Sequence, residues 1–137
     1  MRRAATLVVP LLLAGSLGAC GDGDGDDEPP AVCSSVDTLQ DSVEELSDID
    51  VTSQGSLAEL KDGIPEVGDA LADVKAEAKS EFATPLSAAE SSWATLQAAL
   101  DAAVASPTGA TLSAAGTALS TFGQDVKTLV SDVESTC

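Results

Sequence analysis

Three cysteines, Cys20, Cys33 and Cys137, carry the most reactive side chains of this 137-residue chain. A thiol can be acylated, can form a disulfide with a second thiol, can bind a metal ion or can act as a nucleophile. The last two roles need partner side chains such as histidine, and the chain contains no histidine. The sequence therefore favours acylation and disulfide formation, and the surroundings of each cysteine distinguish between these two reactions.

Cys20 ends a segment that has the layout of a secretory signal peptide. Two arginines precede an apolar run over residues 4–13, and a stretch of small residues connects this run to the cysteine. The run is shorter than the about 20 apolar residues that a permanent transmembrane helix needs. We therefore expect residues 1–19 to be a signal peptide for export.

The four residues 17–20, Leu-Gly-Ala-Cys, resemble the lipobox of bacterial lipoproteins. The resemblance implies that Cys20 receives a diacylglycerol before the signal peptide is removed. The protein would then stay at the extracytoplasmic face of the cell membrane, because two acyl chains make a stable anchor where one would be marginal. The alternative is an ordinary cleaved signal peptide in which the cysteine is incidental.

Lipidation of Cys20 would leave Cys33 and Cys137 near the two ends of the remaining chain. Outside the cytoplasm, conditions are oxidising and two such thiols tend to pair. The bridge would close a loop of about 100 residues, for which the chain-entropy model gives about 4 to 5 kcal/mol of stabilisation. We therefore predict a disulfide between these two cysteines.

Charge and composition exclude several classes of function. After residues 1–19 the chain has four lysines, no arginine, no histidine and no tyrosine, together with all 23 acidic residues. Such a chain repels the phosphates of nucleic acids and also avoids anionic lipid headgroups, so that only a lipid would hold it at the membrane. Of the side chains that usually act as nucleophiles or carry protons, only serine, lysine and the carboxylates remain. We expect no enzyme activity, no catalytic residue and no cofactor.

Residues 21–32 predict a flexible acidic tether. Glycine gives the backbone freedom, the acidic side chains repel one another, and two prolines stiffen the end of the segment. The chain therefore divides into three parts. These are a signal peptide over residues 1–19, a lipidated cysteine with its tether over residues 20–32, and a helical domain over residues 33–137.

Two sets of carboxylates have a spacing that could bind a cation. The first has the alternating start of a calcium-binding EF-hand loop, but the glycine and the final glutamate of that loop are missing. The second follows one helix face, which is also typical of solvent-exposed side chains. The two sets are Asp22, Asp24 and Asp26, and Glu66, Asp69 and Asp73. We predict no metal site at either.

Lysine and glutamate alternate at the end of the second predicted helix. Lys75 and Lys79 lie one turn apart beside Glu77 and Glu81. This pattern is typical of solvated ion pairs on one helix, each of which stabilises the helix by a few tenths of a kcal/mol. We therefore assign these side chains to the surface.

From residue 34 onward, apolar residues recur every three or four positions. This spacing predicts four amphipathic helices and no strand. Ser34, Ser56 and Thr84 are expected to cap the starts of the first three helices, and a turn over residues 106–109 is expected before the fourth. The fourth helix should then extend nearly to Cys137.

The second helix contains Gly63 and Pro65, but the apolar series keeps its phase across them. We therefore expect a kinked helix there rather than a loop. A register shift beside Pro85 separates the second helix from the third, although residues 56–105 could also form one bent helix of about 50 residues. An all-α, antiparallel up-down bundle of four helices, the first of them short, would bring the two cysteines of the helical domain together.

Two further sets of residues stand out in the helical domain. The aromatic residues all fall on the apolar series, so we expect them to fill the core rather than to surround a ligand. Three glycines recur every seven residues beside the apolar stripe of the fourth helix, where they either let a neighbouring helix approach closely or lie exposed. The aromatic residues are Phe82, Trp93 and Phe122, and the glycines are Gly109, Gly116 and Gly123.

The whole layout resembles a group of uncharacterised small lipoproteins of high-GC Gram-positive bacteria. The resemblance rests on the three cysteines, the junction between Phe82 and Pro85, and the helical register. It brings no activity with it. We expect a non-enzymatic module of the cell envelope that contacts a partner protein or a wall component. The first alternative is a carrier or sensor for a small apolar ligand or for cations, and the second is an enzyme.

Overall fold

A computed structural model describes residues 30–51 and 54–137 of the chain. These residues form four α-helices, and a short 3-10 turn over Ser80–Phe82 precedes the third. The helices are α1 (Ala31–Ser47), α2 (Gln54–Glu77), α3 (Ala83–Ala105) and α4 (Gly109–Glu134). The described ranges contain no strand. Cys20, the predicted signal peptide and residues 21–29 of the predicted tether lie outside them.

The four helices form an antiparallel up-down bundle, as predicted. Around the bundle, α1 packs against α2 and α4, and α3 packs against the same two helices. The first helix is the shortest, with 17 residues. An even number of helices returns the chain to the end of the bundle where it began. At this end a disulfide joins Cys33 to Cys137.

The first helix begins three residues earlier than predicted, at Ala31 rather than at Ser34. Val32 is only 3% exposed and packs into the core. Burial of this side chain favours helical backbone at the residues before Ser34. Pro30 precedes the helix and makes no side-chain cap. The predicted Ser34 cap is therefore wrong, and residues 31 and 32 belong to the bundle rather than to the tether.

The starts of α2 and α3 also differ from the predictions. Helix α2 begins at Gln54, so that Ser56 lies inside its first turn. Before α3, the 3-10 turn brings Phe82 into the core, and the helix then begins at Ala83 with Thr84 already inside it. The separation of α2 from α3 is confirmed, and one bent helix over residues 56–105 is excluded.

The start of α4 has a capping box that the sequence pattern did not identify. The backbone N–H of Thr111 donates to Thr108 Oγ1 at 3.3 Å, and the backbone N–H of Thr108 donates to Thr111 Oγ1 at 2.9 Å. A threonine thus takes the role that glutamate or glutamine usually has in this motif. The predicted turn before the helix is confirmed.

The second helix continues through Pro65, as predicted. The proline ring is exposed, while Val67 on the other side of the helix is fully buried. A proline on the solvent side removes one backbone hydrogen bond without disturbing the face that packs into the core. The apolar series therefore keeps its phase across the proline.

The core consists almost entirely of aliphatic side chains from all four helices together with two phenylalanines. Two serines, Ser42 and Ser92, are buried among them. Their hydroxyl groups donate to the carbonyl oxygens of Thr38 and Ala88, four residues earlier, at 3.0 and 3.1 Å. These hydrogen bonds satisfy both hydroxyl groups within their own helices. No buried side-chain polar atom of the described residues lacks a hydrogen-bond partner.

Candidate functional site

The disulfide defines one end of the bundle. Cys33, in the first turn of α1, bonds to Cys137, and their Cα atoms are 6.3 Å apart although 104 positions separate them in sequence. We call this the disulfide end. The opposite end, called the far end, contains the connection after α1 and the turn over residues 106–108. Any segment that precedes residue 30 therefore joins the bundle at its disulfide end.

The aromatic residues fill the bundle interior and one seam of its surface. Phe82 and Phe122 are 4% and 0% exposed. Trp93 is half-buried, with its ring centroid 5.1 Å from that of Phe122 and the two ring planes tilted by 46°. A Cβ atom added to Gly68 would lie 3.4 Å from Trp93 Cζ2, so the indole lies across the seam between α3 and α2. The arrangement is that of packed core aromatics.

The acidic set on α2 lies along an exposed helix face. Glu66, Asp69 and Asp73 all point to solvent. Within the described ranges, no group of three or more cysteine and carboxylate side chains could hold a metal ion. The first acidic set, in the predicted tether, lies outside the described residues.

The lysine and glutamate side chains of α2 pair across helices rather than along one helix. Lys75 forms a salt bridge with Glu90 of α3. Glu77 accepts a hydrogen bond from the Ser35 hydroxyl of α1. Lys75 is 61% exposed, so this ion pair contributes about 1 kcal/mol or less. These contacts connect neighbouring helices at the surface, as expected for solvated side chains.

Charge is distributed unevenly around the bundle. Helix α1 carries four carboxylates and no basic residue, and α2 is also rich in acidic residues. Between residues 83 and 124 the charged residues are only Glu90 and Asp101. The half of the bundle formed by α1 and α2, called the acidic half, therefore attracts cationic groups, whereas residues 83–124 carry little charge.

A groove of about 650 Å³ lies between α1 and α4. We call it the α1–α4 groove. Its floor is aliphatic and its rim carries amide, hydroxyl and charged side chains. The lining residues are Gln40, Val43, Glu44, Ser47, Asp48, Ile49, Val51, Gly116, Leu119, Ser120, Gly123, Gln124, Val126 and Lys127. Its volume lies within the about 300–1,000 Å³ of small-ligand sites.

The repeated glycines of α4 have two different environments. A Cβ atom added at Gly116 would lie 3.0 Å from Val51 Cγ2, and one added at Gly123 would lie 3.8 Å from Val43 Cγ1. At Gly109, an added Cβ would meet no atom within 4 Å. Two of the three glycines therefore face α1 and the segment after it, and both line the α1–α4 groove.

Replacing Gly123 with alanine is expected to raise the free energy of unfolding by about 0.5–1 kcal/mol, because glycine in a helix interior costs that much relative to alanine. The added methyl group would make an ordinary contact with Val43. Gly116→Ala is the matched comparison, and it should stabilise less because its methyl group would crowd Val51. Urea denaturation of the two variants measures both effects. A Gly123→Ala variant less stable than the unmodified protein would contradict this packing.

Comparison with known proteins identified no relative, because no family model, no curated protein and no solved structure matches the chain. In the part of the chain that the structure describes, no helix is both long and apolar enough to cross a membrane.

The sequence pattern identified the glycines that line the groove but not the residues opposite them. Val43 follows the apolar spacing of the first helix, and no sequence pattern marks Gln40 or Ser47 as residues of a groove. The missing information was which helices are neighbours, because that decides which faces meet. The recurrence of glycine every seven residues is the one sequence signal that points to this seam.

Proposed function

We propose that this protein is an exported lipoprotein, anchored to the extracytoplasmic face of the cell membrane through a diacylglycerol on Cys20. The observation that carries the proposal is the Leu-Gly-Ala-Cys segment at residues 17–20 directly after a short apolar run. The disulfide between Cys33 and Cys137 supports it, because such bridges persist in oxidising compartments and are rare in the cytosol.

The anchor would hold the bundle by its disulfide end. Nine residues separate Cys20 from Pro30. A chain of this length, fully extended, spans at most about 36 Å. The lateral faces and the far end of the bundle therefore stay accessible to other molecules near the membrane.

In this position the bundle acts as a non-enzymatic interaction or structural module of the envelope. Its acidic half favours a protein or wall component with a cationic surface, and it disfavours nucleic acid. Such attraction between exposed charges weakens as salt is added, because the Debye length falls to about 8 Å at physiological ionic strength.

Cys20→Ala is expected to move the protein from the membrane fraction to the soluble exported fraction, because no acyl chain can then be attached. Fractionation of a bacterial host that exports the chain, with immunodetection through a tag after Cys137, measures the distribution. The matched control is the double variant Cys33→Ala/Cys137→Ala, which makes the same side-chain change but leaves Cys20 in place and should stay with the membrane. Membrane retention of Cys20→Ala equal to that of the control would refute the anchor.

A specific observation also favours a second function, that of a carrier or sensor for a small ligand. The α1–α4 groove combines an aliphatic floor with a polar rim and has the volume of a small-ligand site. This function is compatible with the proposed anchor, because the groove lies on a lateral face of the bundle.

A further inference from the structure

We propose that the α1–α4 groove binds a short extended peptide that has free termini and small aliphatic side chains. The peptide carboxylate would lie toward the disulfide end and its ammonium group toward the far end. This inference names the ligand class of the carrier or sensor function proposed for the same groove, on which it rests, and it does not depend on the proposed anchor.

The register of the two antiparallel helices fixes which charges lie at each end of the groove. Val43 of α1 lies opposite Gly123 of α4. Lys127 follows Gly123 by four residues, toward the disulfide end, and Asp48 follows Val43 by five residues, toward the far end. With a rise of about 1.5 Å per residue, the Cα atoms of Lys127 and Asp48 are offset by about 13 Å along the groove.

Lys127 can hold a carboxylate at the disulfide end of the groove. Lys75 and Glu90 form the one salt bridge among the described residues, so the Lys127 ammonium group has no carboxylate partner there. The Lys127 side chain is exposed, and it lines the groove together with Gln40 and Gln124. The Gln40 amide already donates to Glu44 Oε1 at 3.2 Å. The Lys127 ammonium group and the Gln124 amide are therefore the donors for a ligand carboxylate.

The far end of the groove can hold an ammonium group. Asp48 directly follows the last residue of α1, and no basic residue lies in the last turn of that helix. The C-terminus of a helix carries a partial negative charge, which a carboxylate reinforces and a cation neutralises. A positive ligand group would therefore be stabilised at this end.

The length and chemistry of the groove select the class of ligand. An extended peptide covers about 3.3–3.6 Å per residue, so a separation near 13 Å corresponds to three or four residues between free termini. Gly116 and Gly123 already pack against Val51 and Val43, and Ser120 lies between the two glycines on the same helix. No aromatic residue lines the groove, which disfavours ligands that bind by ring stacking.

Titration of the full-length chain, purified in detergent, with tetra-alanine tests the proposal. Binding should shift the backbone amide signals of Gly116 and Gly123 in a nitrogen-15 correlation spectrum. The same peptide with an acetylated N-terminus and an amidated C-terminus should bind at least about tenfold more weakly, because a charge-assisted hydrogen bond at each end is lost. Equal binding of the free and the blocked peptide, or no shift of either glycine at about 10 mM peptide, would overturn the proposal.

A pair of lysine variants locates the carboxylate. Lys127→Gln should weaken tetra-alanine binding by about tenfold and leave the binding of its C-terminally amidated form unchanged. Lys61→Gln, an exposed substitution on α2 outside the groove, should bind like the unmodified protein. Equal effects of the two substitutions would place the peptide elsewhere and overturn the proposal. A Cys20→Ala chain should bind tetra-alanine normally, so failure here and failure of the anchor are distinguishable.

Discussion

Loss of the disulfide between Cys33 and Cys137 is expected to lower the free energy of unfolding by about 3–5 kcal/mol. The bridge spans 104 positions, and cross-linking a loop of about this length restricts the unfolded chain most strongly. For a domain of about 100 residues, the thermal midpoint should fall by more than about 10 °C. Thermal unfolding followed by circular dichroism, with and without a reducing agent, measures the change.

The double variant Cys33→Ala/Cys137→Ala provides the control for this experiment. It should unfold at the midpoint of the reduced protein, and the reducing agent should not lower that midpoint further. If the reducing agent leaves the midpoint of the unmodified protein unchanged, the bridge does not stabilise the bundle in the way its position implies.

Phe122→Ala is expected to destabilise the bundle by about 3–5 kcal/mol, because it removes a large buried ring and leaves a cavity. Phe122 is fully buried, and it contacts the indole of Trp93. Since native domains are stabilised by only about 5–15 kcal/mol, this one substitution should remove a large part of the total. Urea denaturation monitored by circular dichroism measures the loss.

Val104→Ala is the matched control for the phenylalanine substitution. Val104 is 45% exposed, and removing exposed methyl groups should change the stability by about 0.5 kcal/mol or less. A Phe122→Ala variant that unfolds at the same urea concentration as Val104→Ala would show that the aromatic ring is not part of a packed core.

The positions of the helices could be predicted from the sequence because the apolar spacing has a strong period. Leu39, Leu60, Leu96 and Leu129, one from each helix, follow the apolar spacing and are all fully buried. The same period across Pro65 correctly predicted a continuous α2. Periodicity is reliable here because each helix has one buried face around a single core.

The helix starts could not be predicted with the same accuracy. Ser34, Ser56 and Thr84 all have the side chains of good caps, yet each lies inside its helix. Serine and threonine are frequent along this chain, and many of them bond to the carbonyl group four residues earlier instead of capping. In α1, the burial of Val32 also favours additional helical residues before the expected cap.

The groove and the ion pair could not be predicted because both depend on which helices are neighbours. Lys75 was expected to pair along α2, but it forms its salt bridge with Glu90 of the adjacent α3. Similarly, the glycine repeat left both a close approach and exposure open, and it did not identify the partner, which is α1 and the residues after it. Which side chains meet between helices depends on which helices lie side by side. The apolar pattern of a single helix does not contain this information.

The most direct test of the proposed anchor is the intact mass of the protein extracted from the membranes of an exporting bacterial host. We predict a chain that begins at Cys20, lacks residues 1–19, carries the additional mass of a diacylglycerol, and is two hydrogen atoms lighter than its reduced form because of the disulfide. A chain that retains residues 1–19, or one that is cleaved but carries no lipid mass, would contradict the proposal that this helical bundle is a lipid-anchored module of the cell envelope.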